Sequence, residues 1–305
     1  MGFEAPRRLV RALGEHADQP GRPDRLDWLN ALPALAEETV ARLGLTIERV
    51  VAPGGRSSLI LLVRLADATP AALKLVPPGA GAERERAALT HWGGRFAVQV
   101  LDRATDTAET AGAADTLLLE RLHPEVSLRS LPEAKALLEA AATVRRLWVE
   151  PPAGHDFPTV AGRTARQAEV LRTQDEPLAR AALDVREELV ADGPEELLLH
   201  GSFRQGKVLA GDRAPWLTVG PKPVVGERAY DLARLVRDRA EDLVAASSGA
   251  SAARRRVNKL AASLEVDPDR LRGWALFRAV ESGLRALAAG RTREAESTLE
   301  FASWL

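Results

Sequence analysis

A lone lysine, Lys74, stands inside the apolar run Ala71-Ala-Leu-Lys-Leu-Val76, and Glu85 follows eleven residues later in a segment of helical character. An ammonium on a strand and a carboxylate on the next helix form a pair that can hold the α- and β-phosphates of a nucleotide and orient the holder. The plainer reading is two solvated charges. Of the 42 basic residues only five are lysines (Lys74, Lys135, Lys207, Lys222 and Lys259). Arginine is therefore the routine surface cation, and because the two side chains are not interchangeable, each lysine is an informative choice. The turn Pro53-Gly54-Gly55-Arg56-Ser57-Ser58 can either fold over phosphates with its backbone N–H groups or serve as a hairpin turn.

The elements that must position these residues follow from periodicity. Apolar residues from Leu26 to Leu43 recur at three- and four-residue steps, predicting a helical flank interrupted near Pro33. Short β-like runs cover Thr46 to Val51, Leu59 to Leu65 and Ala71 to Val76; a helix spans Ala82 to Trp92, and two further strands cover Phe96 to Leu101 and Thr116 to Leu122. The stretch 102–115 separates those two, and a linker is expected over Glu120 to Val126. Beyond it helices dominate: Pro132 to Val149, Thr159 to Leu171, Glu176 to Ala191, Ala229 to Ala245, Ser251 to Leu264, Pro268 to Ala288 and Thr292 to Ser303. One β-rich island, Leu197 to Val219, breaks the run, with pieces at Val208 to Ala210 and Trp216 to Val219 joined by a Gly211-Asp212-Arg213 turn. The organisation reads as an N-terminal helical flank (1–44), a small β-rich lobe (45–122) and a larger helical lobe (123–305). That is an α+β, two-lobe design with a cleft between lobes as the expected ligand site.

Composition removes several classes of function. A net charge of −1 over 305 residues gives no field for nucleic acid or a membrane surface. With no cysteine and five scattered histidines, disulfides, thiolate metal sites and cysteine nucleophiles are excluded and zinc spacing is missing. Any metal would need oxygen ligands. The first sixteen residues are too charged for a signal peptide and no run is long and apolar enough to span a bilayer, so the expected location is the cytoplasm.

The island carries the most specific pattern. The stretch His200-Gly-Ser-Phe-Arg-Gln-Gly-Lys-Val-Leu209, followed by Trp216-Leu-Thr-Val-Gly-Pro-Lys-Pro-Val-Val-Gly226 and Tyr230-Asp231-Leu-Ala, resembles the catalytic and metal-binding segments of the streptomycin/hydroxyurea phosphotransferases, antibiotic-resistance kinases with the aminoglycoside phosphotransferase fold. The strand lysine, the hinge-like Leu117-Leu-Leu-Glu-Arg-Leu122, Arg145-Arg-Leu-Trp148 and Pro151-Pro-Ala-Gly-His-Asp-Phe-Pro158 extend the resemblance over roughly residues 45 to 290. It implies a protein-kinase-like fold, with Lys74, Glu85, Glu120, Leu122 and Lys207 at nucleotide-binding positions and His200 and Asp231 as props of the loop.

The chain departs from that family at its reactive positions. The family pattern His-Gly-Asp-Leu-His-x-Gly-Asn-Val-Leu places a proton-accepting Asp where Ser202 stands and a magnesium-binding Asn where Lys207 stands. Its Asp-Pro-Lys-Pro, whose Asp binds the metal, reads Gly220-Pro-Lys-Pro here. A serine without a base is a poor proton acceptor at neutral pH, Gly220 offers no side-chain oxygen, and Lys207 brings a cation to the metal's place. The ammonium can stand in for the metal against a phosphate or pair with a carboxylate such as Asp212. Arg204, at the family's second His, reads as solvent-facing, and Lys222 as structural or phosphate-facing.

The leading expectation is a pseudokinase, with no metal, that binds a nucleotide such as ATP without magnesium, a small molecule or a protein partner, and neither nucleic acid nor membrane. One alternative is an active small-molecule kinase recruiting Asp212, Glu227 or Asp231 as metal ligands. Another is a pocket repurposed for a natural product or other chemistry.

Overall fold

The computed structural model describes residues 4–15, 24–101 and 115–305; nearly all of the expected spacer at 102–115 lies outside the described residues. Contacts divide the chain into two compact units, Met1–Glu125 with Leu209–Leu217, and Val126–Val208 with Thr218–Leu305.

In the first unit, α1 (Arg7–Gly14) and α2 (Asp24–Arg42) precede an antiparallel sheet of β1 (Thr46–Val50), β2 (Leu59–Arg64), β3 (Pro70–Leu75) and β4 (Thr116–Glu120), hydrogen-bonded in that order. Strand alternation sends odd-numbered residues of β3 to one face. There Ala71, Leu73 and Leu75 join Leu59, Leu61 and Val63 against Trp28, Leu32 and Ala36 of α2. Those three α2 residues lie four apart on one helix face, and their burial offsets the hydrogen bond lost at Pro33. The helix runs through the proline, contrary to the expected interruption. Even-numbered Lys74 lies on the opposite face, where α3 (Ala82–Trp92) brings Glu85 to it.

Two expectations fail here. Phe96 to Leu101 forms no strand among the described residues: Phe96 takes a left-handed φ of 57°, and Arg213 claims the carbonyls of Gly94 and Ala97. Leu101 N–H to Leu118 O, Glu120 N–H to Gln99 O, Gln99 N–H to the Glu120 carboxylate and the Val100–Leu119 bridge tie the segment to β4 without making it a strand. The presumed linker is β5 (Leu122–Ser127), the edge of a three-stranded sheet with β7 (Val208–Gly211) and β8 (Leu217–Thr218). An edge position is where Pro124 is tolerated.

The second unit contains α4 (Glu133–Val144), α5 (Val160–Arg172), α6 (Pro177–Ala191), the pair β6 (Leu197–Leu199) and β9 (Val224–Gly226), then α7 (Arg228–Val236), α8 (Ala240–Val244), α9 (Gly249–Leu264), α10 (Pro268–Ala288) and α11 (Thr292–Ser303). Helix α10 packs against α6, α7 and α11. Its Trp274 meets Tyr230 and Phe277 edge-on, at centroid distances of 5.2 and 6.0 Å, the geometry favoured by ring quadrupoles. Asp267 caps α10 by accepting from the N–H groups of Asp269 (2.8 Å) and Arg270 (2.9 Å), with Pro268 in the first turn. The helix expected over 229–245 is two helices. Arg239 breaks it with φ 58°, its guanidinium bonded to Gln205 Oε1 (3.1 Å) and to the carbonyls of Arg129 and Leu131 (both 2.8 Å).

Candidate functional site

The first unit holds Lys74, Glu85, Glu120 and Leu122. Lys74, paired in register with Ile60 and Leu117, is 8% exposed and forms a buried ion pair with Glu85, itself 5% exposed. The two residues are therefore not solvated surface charges. The second carboxylate oxygen of Glu85, Oε1, is buried without a hydrogen-bond partner among the described residues. The carboxylate of Glu120 is committed to Arg213 (3.0 and 2.9 Å) and to Gln99 N–H (3.1 Å). Leu122 is buried beneath Gly211 of β7. The Gly-Gly turn is drawn toward the N-terminal helix. Gly54 (φ 68°) lies close to Pro6, and Arg56 pairs with Glu15 at 3.2 Å.

The second unit holds His200, Ser202, Lys207, Gly220 and Asp231. After β6 the chain turns at Gly201, whose φ of 68° and closeness to Lys222 O admit only glycine: a Cβ there would lie 2.0 Å from that oxygen. Asp231 on α7 accepts from the backbone N–H groups of His200 (3.0 Å) and Gly201 (2.8 Å) and from Trp148 Nε1 (3.4 Å). Burial pushes its carboxyl up, opposed by the Arg278 charge and these donors. The facing strand is held by Lys222 N–H to His200 O (2.9 Å) and by Arg163, which donates to Lys222 O (2.8 Å) and Pro223 O (2.7 Å). The side chain of Lys222 is exposed.

Ser202 is 2% exposed, and its Oγ accepts a hydrogen bond from Arg234 Nη1 at 3.1 Å. Arg204 is half-buried, its Nε shut off from solvent, rather than solvent-facing as expected.

Lys207 reaches across from the 3₁₀ turn Gln205–Lys207 and donates its Nζ to the carbonyl of Gly220. Gly220 adopts φ 60°, and a Cβ built there would stand 3.2 Å from that ammonium and 3.8 Å from Lys207 Cε. The space toward which a carboxylate at position 220 would project is thus filled by a cation. A divalent ion needs several oxygen ligands; here one candidate ligand position is glycine, the other is lysine, and the lysine charge repels metal. These residues do not fit magnesium.

The other carboxylates are committed elsewhere. Asp212 pairs with His123 at 2.8 Å. Glu227, 5% exposed, accepts from Arg270 Nε and Nη2 and from Trp274 Nε1, all at 2.6 Å. Asp231 supports the loop backbone. No group of three or more His, Asp or Glu suited to a metal occurs among the described residues, and no helix among them is long and apolar enough to cross a membrane.

His200 is fully buried; its Nε2 lies 3.2 Å from Val219 O and its Nδ1 accepts from Ser202 N–H at 3.3 Å. Only the neutral Nε2–H tautomer satisfies both bonds. Burial first, then the charges of Lys207, Arg234 and Arg204, hold the imidazole well below the usual 6.5. Below that pH the unfolded chain takes a proton that the folded one refuses. Its contribution is therefore fully present above pH 6.5 and falls by about 1.4 kcal/mol for each pH unit below it until the folded imidazole titrates. Urea midpoints of wild type and His200→Asn between pH 7.5 and 5 are expected to converge as pH falls; a constant gap would contradict a neutral buried histidine.

An antiparallel sheet with a buried strand lysine and helix glutamate, and a helical unit with a histidine- and aspartate-propped loop, together define a kinase-like protein. The chain belongs to the aminoglycoside/hydroxyurea antibiotic resistance kinase family, which matches residues 43–290. It is 30% identical over 301 residues to a streptomycin 6-kinase of Streptomyces griseus, covering 96% of this chain and 95% of that one. To a hydroxyurea phosphotransferase of Kitasatospora aureofaciens it is 32% identical over 324 residues, covering 99% and 86%. Among solved structures it is similar to the aminoglycoside phosphotransferase APH(4)-Ia, with a TM-score of 0.62 at 16% identity over 88% of this chain and 96% of that one. The choline kinase LicA from Streptococcus pneumoniae follows at a TM-score of 0.58 and 11% identity, covering 89% and 99%. The fold is thus the α+β, protein-kinase-like fold of the aminoglycoside phosphotransferases.

The arginines were not legible as site residues. Arg163, Arg234 and Arg278 support or surround the loop, yet in a chain where nearly every basic residue is arginine their type carries no signal.

Proposed function

We propose that this member of the family is a pseudokinase: it binds a nucleotide or another small molecule, or a protein partner, without transferring phosphate. The observation that carries the reading is the Lys207 ammonium on the Gly220 carbonyl, in the place that the family gives to a metal and its carboxylate ligand. Phosphoryl transfer rests on positioning and charge neutralisation by a base, ligands and ions. At the base position the Ser202 oxygen already accepts from a guanidinium, which opposes its taking up a proton. Lys74 and Glu85, with the strand backbone at Glu120 and Leu122, are the nucleotide contacts that the first unit offers; in the second unit Lys207 offers an ammonium to an anion. A related fold, LicA, has a solved structure in complex with AMP.

The active-kinase alternative requires Asp212, Glu227 or Asp231 to leave histidine, arginine or backbone partners. A thermal-shift series separates the readings: a rise in Tm with ATP that magnesium does not change supports the pseudokinase. A strict magnesium requirement supports the active kinase, and a rise only with non-nucleotide compounds supports a repurposed pocket.

A further inference from the structure

The second unit gathers cations around Ser202. Arg234 (α7) donates to Ser202 Oγ at 3.1 Å, and this is its one hydrogen bond among the described residues, with no carboxylate in ion-pair range. Arg278 (α10) is fixed over the Tyr230 ring at 4.2 Å by bonds to Tyr230 O (2.8 Å) and Gly201 O (3.0 Å). Arg237 donates to Arg278 O at 3.4 Å. Burial, followed by the charges of Arg278, Arg237, Arg204 and Arg285, holds the Arg234 guanidinium well below its ordinary range. Burial and Arg278 lower Arg237 to about 10.

Three carboxylates face these five guanidinium groups; two of them also accept from backbone N–H groups and the third pairs with one of the five. Asp231 is spent on the loop N–H groups, Asp238 accepts from Gln205 N–H, and Glu281 pairs with Arg285 at 3.4 Å. His200 faces the same region as a neutral ring, and Lys207 adds a further cation. Gathering like charges in a partly desolvated place is costly unless an anion offsets it.

We propose that the Ser202 region is a binding site for an anionic, phosphate-bearing small molecule, with Arg234 and Arg204 as its principal ligands, Arg278 as a fixed positive wall and Lys207 at its edge. Guanidinium forks suit phosphate oxygens. The same charges repel an aminoglycoside, whose amino groups are cationic at neutral pH. The inference deepens the reading above and rests on its premise that this loop binds rather than reacts.

The probe is inorganic pyrophosphate, titrated calorimetrically into the full chain at low salt. Saturable binding is expected, weakened at least ten-fold in Arg234→Gln and several-fold in Arg204→Gln, and unchanged in Arg254→Gln, an exposed residue of α9. Arg234→Gln is also expected to melt no lower than wild type, because it removes a poorly compensated cation; Arg204→Gln keeps the test decisive if it does not fold. Repetition under saturating ATP identifies the source: displacement assigns the phosphate to the nucleotide, and simultaneous binding assigns it to a separate phosphorylated compound. Absence of binding, equal affinity in Arg234→Gln, or tighter Arg234-dependent binding of streptomycin would overturn the proposal. Magnesium-dependent ATP turnover would sink the pseudokinase reading and leave pyrophosphate binding intact, so the two failures are distinguishable.

Discussion

Lys207→Asn combined with Gly220→Asp is expected to bind ATP at least ten-fold more tightly with magnesium than without, whereas the wild type differs less than two-fold between the two conditions. The double variant removes the ammonium that now rests on the Gly220 carbonyl and supplies three side-chain oxygens, one from the amide and two from the carboxylate. Hard divalent cations need such oxygens, and like charge repels them. The single Gly220→Asp variant is expected to gain nothing. Its Cβ would lie 3.2 Å from Lys207 Nζ, so the new carboxylate pairs with lysine instead of metal, and the residue carries the strain of a φ near 60°. Calorimetry with and without magnesium on all three proteins reads the result. A wild type that already prefers Mg-ATP ten-fold would mean that other side chains hold the ion.

Glu227→Ala is expected to cost about 3–5 kcal/mol of stability, the magnitude for breaking a buried pair by removing one partner. Glu227 accepts three hydrogen bonds at 2.6 Å, two from Arg270 and one from the buried Trp274 indole. Truncation leaves a half-buried guanidinium without its carboxylate and an orphaned, buried indole N–H beside the α7–α10 packing. The same measurement bears on the active-kinase alternative, in which Glu227 belongs to a metal. Urea unfolding gives the stability change, and magnesium is expected to shift neither protein. A loss under about 1 kcal/mol would show that the pair is not held as tightly as its geometry implies.

Much of the architecture can be read from residues in the chain. Helices α10 and α11 are delimited in the sequence because Asp267-Pro268 caps one start and the apolar spacing is regular. Lys74 stands out as an ammonium in a continuous apolar strand; the sequence leaves open whether Glu85 is its partner or both are solvated, and the structure shows the pair. The Ser202, Lys207 and Gly220 positions are legible because the props around them, His200, Gly201 and Asp231, keep the family's pattern. Other features depend on distant chain. Strand β5 looks like a linker, with His123, Pro124 and Glu125, and becomes a strand by pairing with β7 more than eighty residues away. Phe96 to Leu101 has strand-like side chains, but Arg213 takes the nearby carbonyls. The cationic surroundings of Ser202 come from α7, α10 and the loop together, and no local pattern announces that convergence.

ATP consumption by the purified full chain with magnesium tests the central claim most directly, measured with water alone and with streptomycin or hydroxyurea as acceptor. The expected rate equals that of the protein-free mixture in every case, because the positions proposed for the base and both metal ligands hold Ser202, Lys207 and Gly220. Magnesium-dependent turnover that is lost in a folded Lys74→Ala variant and kept in Arg254→Gln would contradict it.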